Sequence, residues 1–536
     1  MNLSRNWLLL LCIVAVAGCD QENAIPTTGD ASEVVLNRGN GAEPATLDPH
    51  RNEDDGGANI LRDLYEGLTA EGPEGEILPG VATSWNISSD GLTYSFALRE
   101  DSRWSNGDPV VAEDFVAGMR RAVDPATAST YAQILYAIEN AQQITEGDLP
   151  PSQLGVRAIG DFQLEITLLA PTPYFLGLLS HSTAYPVHRA SLELHGDEFA
   201  RAGNLISNGP YQLTEWVIQS HVKLERNVYY WDNDNVQIDT VYYHTTENID
   251  SELLRYRAGE IDFTYQIPVT QFRWLRENLA DELHTDPYIS TYFYAFDLTE
   301  PPFDDVRLRQ ALSMAIDRET ITEHVTGIGE VPAFGIVPPG VNNYEGYNYA
   351  WADWDREEQL EEARRLYQEA GYSEDNPLEV EIRYNTSDNH QRIALAVASM
   401  WNEALGVVAR PINEEFRVLL QTRLTPSEWE ILRFGWFGDY NDAYSFLEIF
   451  RSDHGQNFMN YADEEYDRLT SAAANELDTD VRRDLMLSAE ERMLNGYPMV
   501  PIYFYVNRHL VKPYVEGYRA NIMNRNPSRH LRIVRN

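Results

Sequence analysis

The amino-acid sequence predicts an α/β protein of several lobes, and three observations support this. The chain has 536 residues, too many for one hydrophobic core, so two or three domains are expected. Hydrophobic residues make up 43% of the chain and aromatic residues 11%, as in folded proteins with sizeable cores. Segments with strand and helix periodicity follow one another without strict alternation, and no internal repeat is evident.

Strands are predicted where apolar and polar residues alternate, or where a short apolar run is bounded by turn residues. The first strand is expected at 33–38, directly after a polar N-terminal segment. The other predicted strands lie at 94–98, 162–168, 378–384 and 430–432.

Helices are predicted from apolar residues that recur at helical spacing between capping signals. One helix is expected to open at Ala112. A second is expected over 308–316, after the capping residues Asp304 and Asp305. A third is expected over 360–367, with Gly371 as its stop.

The N-terminus has the pattern of a bacterial lipoprotein signal peptide. Arg5 precedes an apolar run at 7–17, which is too short to span a bilayer but suits a signal peptide. The run ends in Val-Ala-Gly-Cys, which resembles the lipoprotein motif with Cys19 as the lipidated residue. Residues 1–18 are therefore predicted to be the signal peptide. Two or three acyl chains on Cys19 would anchor the protein stably to a membrane.

The segment after Cys19 is polar, and residues 19–32 are predicted to be a flexible tether. Ordinary secretion is the alternative, because Ala-Val-Ala at 15–17 also fits a cleavage site. The other cysteine, Cys12, lies within the signal peptide. The mature chain therefore has no disulfide, no catalytic cysteine and no thiolate metal site.

The charge balance disfavours nucleic acid as a partner. Lys+Arg number 41 against 84 Asp+Glu, a formal net charge of −43, whereas phosphate binding needs a basic face. Lys223 and Lys512 are the only lysines. Such an acidic surface suits a salty habitat, where screening relieves self-repulsion.

Enzyme signatures are absent from the sequence. Neither lysine follows the glycines of a Walker A loop, and neither H-E-x-x-H nor G-x-S-x-G occurs. The segment Asp-Asn-Asp-Asn at 232–235 lacks the glycine and the closing glutamate of a calcium loop. The sequence therefore predicts neither catalysis nor a cofactor or metal site.

The stretch 431–447 carries the strongest candidate for ligand binding. It places Arg433, Trp436 and Asp439 three residues apart around Gly435 and Gly438. A cation, an indole and an anion on this backbone could hold a zwitterion, and the glycines would allow unusual dihedrals and close approach. The alternative is a strand that ends in a capped turn, with the side chains of Asp439 and the nearby Asn441 bonding local amides.

Several segments together resemble one known family. They are Leu-Asp-Pro-His at 47–50, the stretch 80–115, Val-Asp-Pro-Ala-Thr-Ala-Ser at 123–129, Asn-Gly-Pro-Tyr at 208–211, Tyr-Asn-Thr-Ser-Asp at 384–388 and the stretch 431–447. In this order they resemble the periplasmic oligopeptide-binding proteins of ABC importers, which belong to family 5 of the extracellular solute-binding proteins. The resemblance covers nearly the whole mature chain.

The resemblance implies a two-lobed periplasmic binding protein clamshell with an extra α/β domain inserted in the first lobe. Lobe I would hold 31–65, 190–290 and 506–536. The inserted domain II would be 66–189, and lobe II (domain III) would be 291–505. The chain would cross between the lobes near Ser290 and Val506, and such a pair of crossings suits closure on a ligand.

The resemblance also implies roles for site residues. Asp439 matches the aspartate that pairs with the ligand's α-amino group, and Arg433 and His390 match positions that serve its C-terminal carboxylate. For His390 a helix cap after Asp388 is the alternative. An extended peptide would add to the strand edge at Gly435. The remaining residues assigned to peptide binding are Arg423, Trp436, Phe416, Tyr131, Glu53 and Phe437.

The chain also departs from the family. The lysine that serves very short ligands matches Thr326, and a pocket glutamate matches Ala295. Members with a disulfide carry it at positions that match Ser290 and Phe437. The loss of that lysine argues against dipeptide binding.

The predicted function is a lipid-anchored, monomeric receptor in the periplasm. It would capture oligopeptides between two closing lobes and deliver them to the permease subunits of an ABC transporter. Asp20 favours the inner membrane as the site of anchoring. The alternatives are a relative that binds murein tripeptide or dipeptides, and a peptide sensor.

Overall fold

The computed structural model describes residues 33–425 and 428–534. Helices and strands are mixed along the chain, so the predicted α/β class is confirmed. The strands are β1 (Val35–Gly39), β2 (Thr69–Glu71), β3 (Ile77–Pro79), β4 (Ala82–Ile87), β5 (Thr93–Leu98), β6 (Val156–Gly160), β7 (Gln163–Thr167), β8 (Tyr211–Val217), β9 (His221–Arg226), β10 (Thr240–His244), β11 (Leu283–Phe296), β12 (Val331–Pro332), β13 (Glu379–Asn385), β14 (Val408–Glu414), β15 (Ile431–Phe437), β16 (Met499–Leu510), β17 (Val515–Glu516) and β18 (Arg532–Ile533).

The helices vary from single turns to five turns. They are α1 (Asp55–Leu64), α2 (Ala112–Val123), α3 (Ala141–Thr145), α4 (Phe175–Leu178), α5 (Arg189–His195), α6 (Ile249–Ala258), α7 (Phe272–Asn278), α8 (Val306–Met314), α9 (Arg318–Thr320), α10 (Arg356–Glu369), α11 (Asp388–Leu405), α12 (Phe416–Thr422), α13 (Tyr444–Leu447), α14 (Glu464–Asn475) and α15 (Thr479–Gly496). Within the described ranges, none is long and apolar enough to cross a bilayer.

Local signals place several of these elements. Helix α8 begins after Asp305, whose side chain accepts a hydrogen bond from the amide of Arg307, as capping predicts. Gly371 follows α10 with φ of 96°, a conformation that stops a helix and favours glycine. The strand predicted at 430–432 is longer than expected, because β15 continues through Gly435 to Phe437.

Two four-stranded sheets lie in the first half of the chain. One has the order β1-β10-β9-β8, with β1 parallel to β10 and the other pairs antiparallel. The other has the order β4-β5-β7-β6 and is antiparallel throughout.

The third sheet has six strands in the order β12-β16-β11-β15-β13-β14. Its strands β11 and β16 are long, and their antiparallel pairing shifts register between Pro287 and Thr291. The pair Pro287 and Val506 lies before this shift, and the pair Thr291 and Phe504 lies after it. Ser290 and Val506, the predicted crossings, therefore both lie at an irregular point of the same two strands.

The buried apolar side chains form two large clusters. One cluster draws on residues between 289 and 503, with Ile522 added, and it surrounds the six-stranded sheet. The other draws on residues between 36 and 263 and on 511–531, and it underlies both four-stranded sheets. Two separate cores of this size suit two bodies joined by β11 and β16.

Candidate functional site

Strand β15 has a free edge at the residues predicted to meet a ligand. It pairs with β11 along its whole length, but with β13 only at Ile431 and Leu432. Beyond Leu432, the edge of β15 on the β13 side has no strand partner among the described residues. The amide of Gly438 donates to the carbonyl of Ile289 at 2.8 Å. Since bonded pairs alternate in an antiparallel ladder, the backbone groups of Gly435 and Phe437 point to the free side.

Strand alternation separates the predicted side chains onto two faces. Arg433, Gly435 and Phe437 share one face, and Trp436 lies on the other. A Cβ atom at Gly435 would lie 3.6 Å from Nη2 of Arg433 and 3.5 Å from the hydroxyl of Tyr505. A peptide at this edge would also alternate its side chains, so pockets on both faces suit it.

The two glycines of the stretch play different roles from those expected. Neither Gly435 nor Gly438 has a positive φ, so the prediction of unusual dihedrals is wrong. At Gly438 a Cβ atom would lie 2.8 Å from Cγ1 of Ile289, so this glycine makes room for a neighbouring side chain, and close approach of a ligand stays a prediction. At Gly435 a Cβ atom would make ordinary contacts.

Arg433 is held by neutral groups. Its Nη1 donates to Oδ1 of Asn385 at 3.1 Å, and its Nη2 donates to the hydroxyl of Tyr505 at 2.7 Å. The guanidinium lies 4.6 Å from the centre of the Tyr292 ring. Its Nε is buried without a hydrogen-bond partner among the described residues. No carboxylate neutralises this arginine there, so it is positioned to bind one.

His390 packs beside Arg433. Its ring centre lies 5.5 Å from that of Tyr292, and its Nδ1 is buried without a partner in the described part of the chain. Burial, and then the charge of Arg433, lower the pKa of His390 to about 3. The imidazole is therefore neutral at physiological pH. The cap of α11 is Ser387, whose side chain accepts from the amide of His390, so His390 itself is not the cap.

Trp436 and Asp439 are both tied to Ser445. The indole Nε1 donates to the carbonyl of Ser445 at 2.7 Å, and the amide of Asp439 donates to its Oγ at 3.1 Å. The carboxylate of Asp439 accepts no hydrogen bond within residues 33–425 and 428–534. Asp439 is exposed, yet neighbouring protein atoms partly desolvate its carboxyl group and so raise its pKa.

The capped-turn alternative is therefore wrong about which residues form the turn. Asp442 is the acid that bonds a local amide, since its Oδ1 accepts from the amide of Tyr444 at 2.9 Å. Arg482 neutralises Asp442 through two bonds of 2.6 and 2.9 Å. Asn441 accepts instead from the amide of Asn342, 99 residues away in sequence. Asp439 remains an acid without a counterion in this part of the structure.

A cavity of about 180 Å³ adjoins Asp439. His181, Tyr174 and Arg525 also line it. The ring of Tyr440 stacks on that of Tyr174, with centres 4.3 Å apart. The cavity therefore lies where residues of the two large cores meet.

Tyr131 and Glu53 lie near this cavity. The Tyr131 ring is 5.5 Å from that of His181, and 37% of Tyr131 is exposed. Burial raises the pKa of Tyr131, and the charges of Asp55, Asp439 and Glu53 add to the shift. Glu53 is exposed. Glu53 and Asp55 therefore bring negative charge to the Asp439 end of the site.

Arg423 and Phe416 lie apart from the Arg433 group. The guanidinium of Arg423 lies 5.0 Å from the ring centre of Phe434, which is on the face of β15 opposite to Arg433. Burial lowers the pKa of Arg423. Phe416 begins α12 and is 50% exposed. No ring contact or hydrogen bond joins Phe416 to the other predicted residues where the structure describes them.

Some residues of the site carried no usable signal in the sequence. Tyr505 holds Arg433 from 72 positions away, and Ser445 acts partly through its backbone. Ser290 and Phe437 lie directly opposite each other in the β11–β15 register, as the disulfide of related proteins implied. Thr326 is buried and donates to Oε2 of Glu330 at 2.9 Å. No cluster of three or more possible metal ligands occurs in the described residues.

Comparisons with known proteins show the family of this chain. The model of the bacterial extracellular solute-binding proteins, family 5 middle, matches residues 76–458. The periplasmic oligopeptide-binding protein OppA of Escherichia coli is 40% identical over 91% of this chain and 90% of its own length.

Two solved structures differ in their likeness to this one. The unliganded open form of the murein tripeptide binding protein MppA is 36% identical and has a TM-score of 0.90, covering 94% of this chain and 98% of its own. The Haemophilus influenzae OppA complex with the peptide RPPGFSPFR is also 36% identical and covers 94% and 99%. Its TM-score is only 0.71. Identity and coverage are alike, so the two structures differ mainly in TM-score, which is higher for the unliganded open form.

Proposed function

The chain belongs to family 5 of the bacterial extracellular solute-binding proteins, and from this premise we propose that it is the substrate-binding component of a peptide-importing ABC transporter. Its fold is the two-lobed clamshell of that family with an inserted domain. Its ligand is a peptide, its partners are the permease subunits of the transporter, and its compartment is the periplasm.

The free edge of β15 carries this proposal. A peptide has backbone amides along its length, an ammonium at one end and a carboxylate at the other. Gly435 and Phe437 offer backbone groups to the amides. Asp439 has no counterion among the described residues, which suits the ammonium, and Arg433 with the neutral His390 suits the carboxylate. The peptide would lie extended and antiparallel to β15.

The higher TM-score to an unliganded open form than to a peptide complex supports capture by closure. We assign lobe I to 31–65, 190–290 and 506–536, the inserted domain to 66–189 and lobe II to 291–505. Asp439 and Arg433 then lie on lobe II, and Tyr131 and Glu53 lie on the opposite body. Closure would bring them together around the peptide and exclude water.

The remaining parts of the proposal concern the anchor and the assembly. Cys19 would carry the lipid, the inner membrane would hold it, and the protein would act as a monomer. The signal-peptide pattern and Asp20 support this proposal. Residues 1–32 lie outside the described part of the chain. Intact-mass analysis of the mature protein should give an acylated chain that starts at Cys19, and an unmodified chain that starts at Gly18 would contradict it.

A murein tripeptide is the second candidate ligand. The TM-score of 0.90 to the open form of a murein tripeptide binding protein supports it. However, that structure is an unliganded open form, so its score reports a likeness of fold and not of ligand. Native mass spectrometry of the purified protein would separate the candidates by the mass of the ligand that copurifies.

The test of peptide binding uses Arg433. Arg433→Gln should weaken binding of a tripeptide with a free carboxylate, but should barely change binding of the same peptide as a C-terminal amide. Arg417→Gln is the control, since Arg417 is exposed on α12. Calorimetry that finds no tripeptide binding to the parent protein would overturn the proposed function.

A further inference from the structure

A second cavity, of about 320 Å³, lies beside the Asp439 cavity. Its walls come from the outer face of α1, the segment 265–269, Tyr288 and the segments 506–509 and 523–525. Arg525 lines both cavities. All of these segments fall in the proposed lobe I, so closure would leave the cavity's own walls in place.

Three arginines line this cavity, and two of them are neutralised. Nη2 of Arg508 lies 3.1 Å from Oε1 of Glu330, and Arg525 forms a salt bridge with Glu71. The third, Arg62, donates only to Oδ1 of Asn59, at 3.1 Å. Within residues 33–425 and 428–534 no carboxylate contacts Arg62.

An unpaired guanidinium is unexpected here, because this chain has 84 acidic residues and only 41 basic ones. Burial lowers the pKa of Arg62, and the charge of Arg525 lowers it further. An anion in the cavity would offset both the desolvation of the Arg62 guanidinium and its repulsion by Arg525. Nδ2 of Asn507, which also lines the cavity, is buried without a partner among the described residues. The cavity therefore offers hydrogen-bond donors that the described protein atoms do not use.

Asp55 is the one carboxylate in the lining. It is exposed and begins α1, seven residues before Arg62. Two helical turns place the two Cα atoms about 10 Å apart. Asp55 raises the pKa of Tyr131 after burial does, as Asp439 also does. Asp55 thus lies on the side of the peptide's ammonium, and Arg62 lies deeper.

The position of the cavity identifies the part of the peptide that reaches it. The ring of Tyr288 lies 5.8 Å from that of Phe437, at the end of β15. Phe437 is two residues from Asp439, which would hold the N-terminus. The side chain that enters this cavity therefore belongs to the first or second residue of the peptide.

We propose that this cavity is a subsite for an acidic side chain at the first or second position of the bound peptide, with Arg62 as the group that receives its carboxylate. The inference rests on the proposed function. It makes Arg62 a specificity-determining residue, and it predicts a preference for peptides with aspartate or glutamate near the N-terminus. A free small carboxylate has the same chemistry, and the experiment separates the two sources.

The experiment measures Kd by calorimetry for matched tripeptides. Glu-Ala-Ala is compared with Gln-Ala-Ala, Ala-Glu-Ala with Ala-Gln-Ala, and Ala-Ala-Glu with Ala-Ala-Gln. Each pair is measured with the parent protein, with Arg62→Gln and with Arg257→Gln. Arg257 is a matched control because it is exposed over Trp274, away from the cavity. Ala-Ala-Ala is titrated in chloride and in acetate buffer.

For the first or the second position, the parent should bind the glutamate peptide at least tenfold more tightly than the glutamine peptide. Arg62→Gln should reduce this ratio to below about twofold, and Arg257→Gln should retain it. The third position should show no such ratio. A parent ratio near one at both positions, or a ratio unchanged in Arg62→Gln, would overturn the inference. If Arg62→Gln does not fold, the inference is tested by the parent protein's preference for the glutamate peptide over the glutamine peptide at each position.

Ala-Ala-Ala separates the remaining outcomes. If it binds the parent while glutamate brings no advantage, the proposed function stands and the inference does not. Tighter binding of Ala-Ala-Ala in acetate, together with that result, would assign the cavity to a free anion. If no tripeptide binds the parent, the proposed function itself is overturned.

Discussion

Replacing Asp439 by asparagine should strongly weaken peptide binding. The residue is exposed in this structure, and its carboxylate accepts no hydrogen bond within the described residues. Asparagine keeps its shape but leaves the peptide's ammonium without a counterion in the closed cleft. Asp442 cannot take over the role, because Arg482 already neutralises it. Loss of one member of such a pair costs about 2–5 kcal/mol, or roughly thirty- to several-thousand-fold in Kd.

The assay is a double-mutant cycle with calorimetry. The parent and Asp439→Asn are each titrated with a free tripeptide and with its N-acetylated form. The acetylated peptide has no ammonium, so it should bind weakly to both proteins and with similar affinity. Asp442→Asn serves as the control for the local turn. It should alter stability through the amide of Tyr444 and Arg482, but it should leave the coupling with the ammonium intact.

Two results would refute this reasoning. Coupling below about 0.5 kcal/mol would mean that Asp439 does not contact the N-terminus. Binding that does not depend on pH at acidic values would also contradict it. Burial raises the pKa of Asp439, and only the ionised form pairs with ammonium, so affinity should fall as the pH drops through that pKa. Asp439→Asn should lack this contribution and keep only the dependence that comes from the peptide's own carboxylate.

Three further outcomes are expected. Gly438→Ala should lower the free energy of unfolding by about 1–3 kcal/mol, because its Cβ would lie 2.8 Å from Ile289, whereas Gly435→Ala should barely change it in the same urea titration. Glu490→Gln should lower the free energy of unfolding by about 1–3 kcal/mol, because the two carboxylate oxygens of Glu490 accept four hydrogen bonds from residues 336–347. Glu361→Gln, at an exposed position, should leave it unchanged. Small-angle scattering should give a smaller radius of gyration once a tripeptide is bound, and an unchanged radius with a proven ligand would contradict closure.

The sequence predicts on which face of β15 each residue lies, but it does not predict which distant residues contact it. Strand periodicity is enough to separate Arg433 from Trp436, since odd and even positions face opposite ways. The choice between Asp439 and Asp442 as the acid that bonds a local amide was not predictable, because both acids follow the strand in similar polar surroundings. That choice depends on Arg482, which lies 40 residues further along the chain.

Long-range contacts also explain why the second cavity escaped prediction. Arg62 lies on an amphipathic helix, where an arginine is usually a solvated surface residue. Arg62 is a candidate binding residue because no carboxylate of the described residues contacts it. Arg525, which shares the cavity with it, pairs instead with Glu71, 454 residues away. Only the folded chain shows which charges are left without a partner.

The distribution of the site over the two cores implies an order of events. Asp439, Arg433 and the free edge of β15 belong to the body around the six-stranded sheet, and they are in place in this structure. Arg62 and Tyr131 belong to the other body. Under the proposed function, a peptide would therefore bind its two ends and its backbone to the first body before closure. Its side chains would meet the second body only on closing, so contacts common to all peptides would govern capture and contacts specific to side chains would stabilise the closed state.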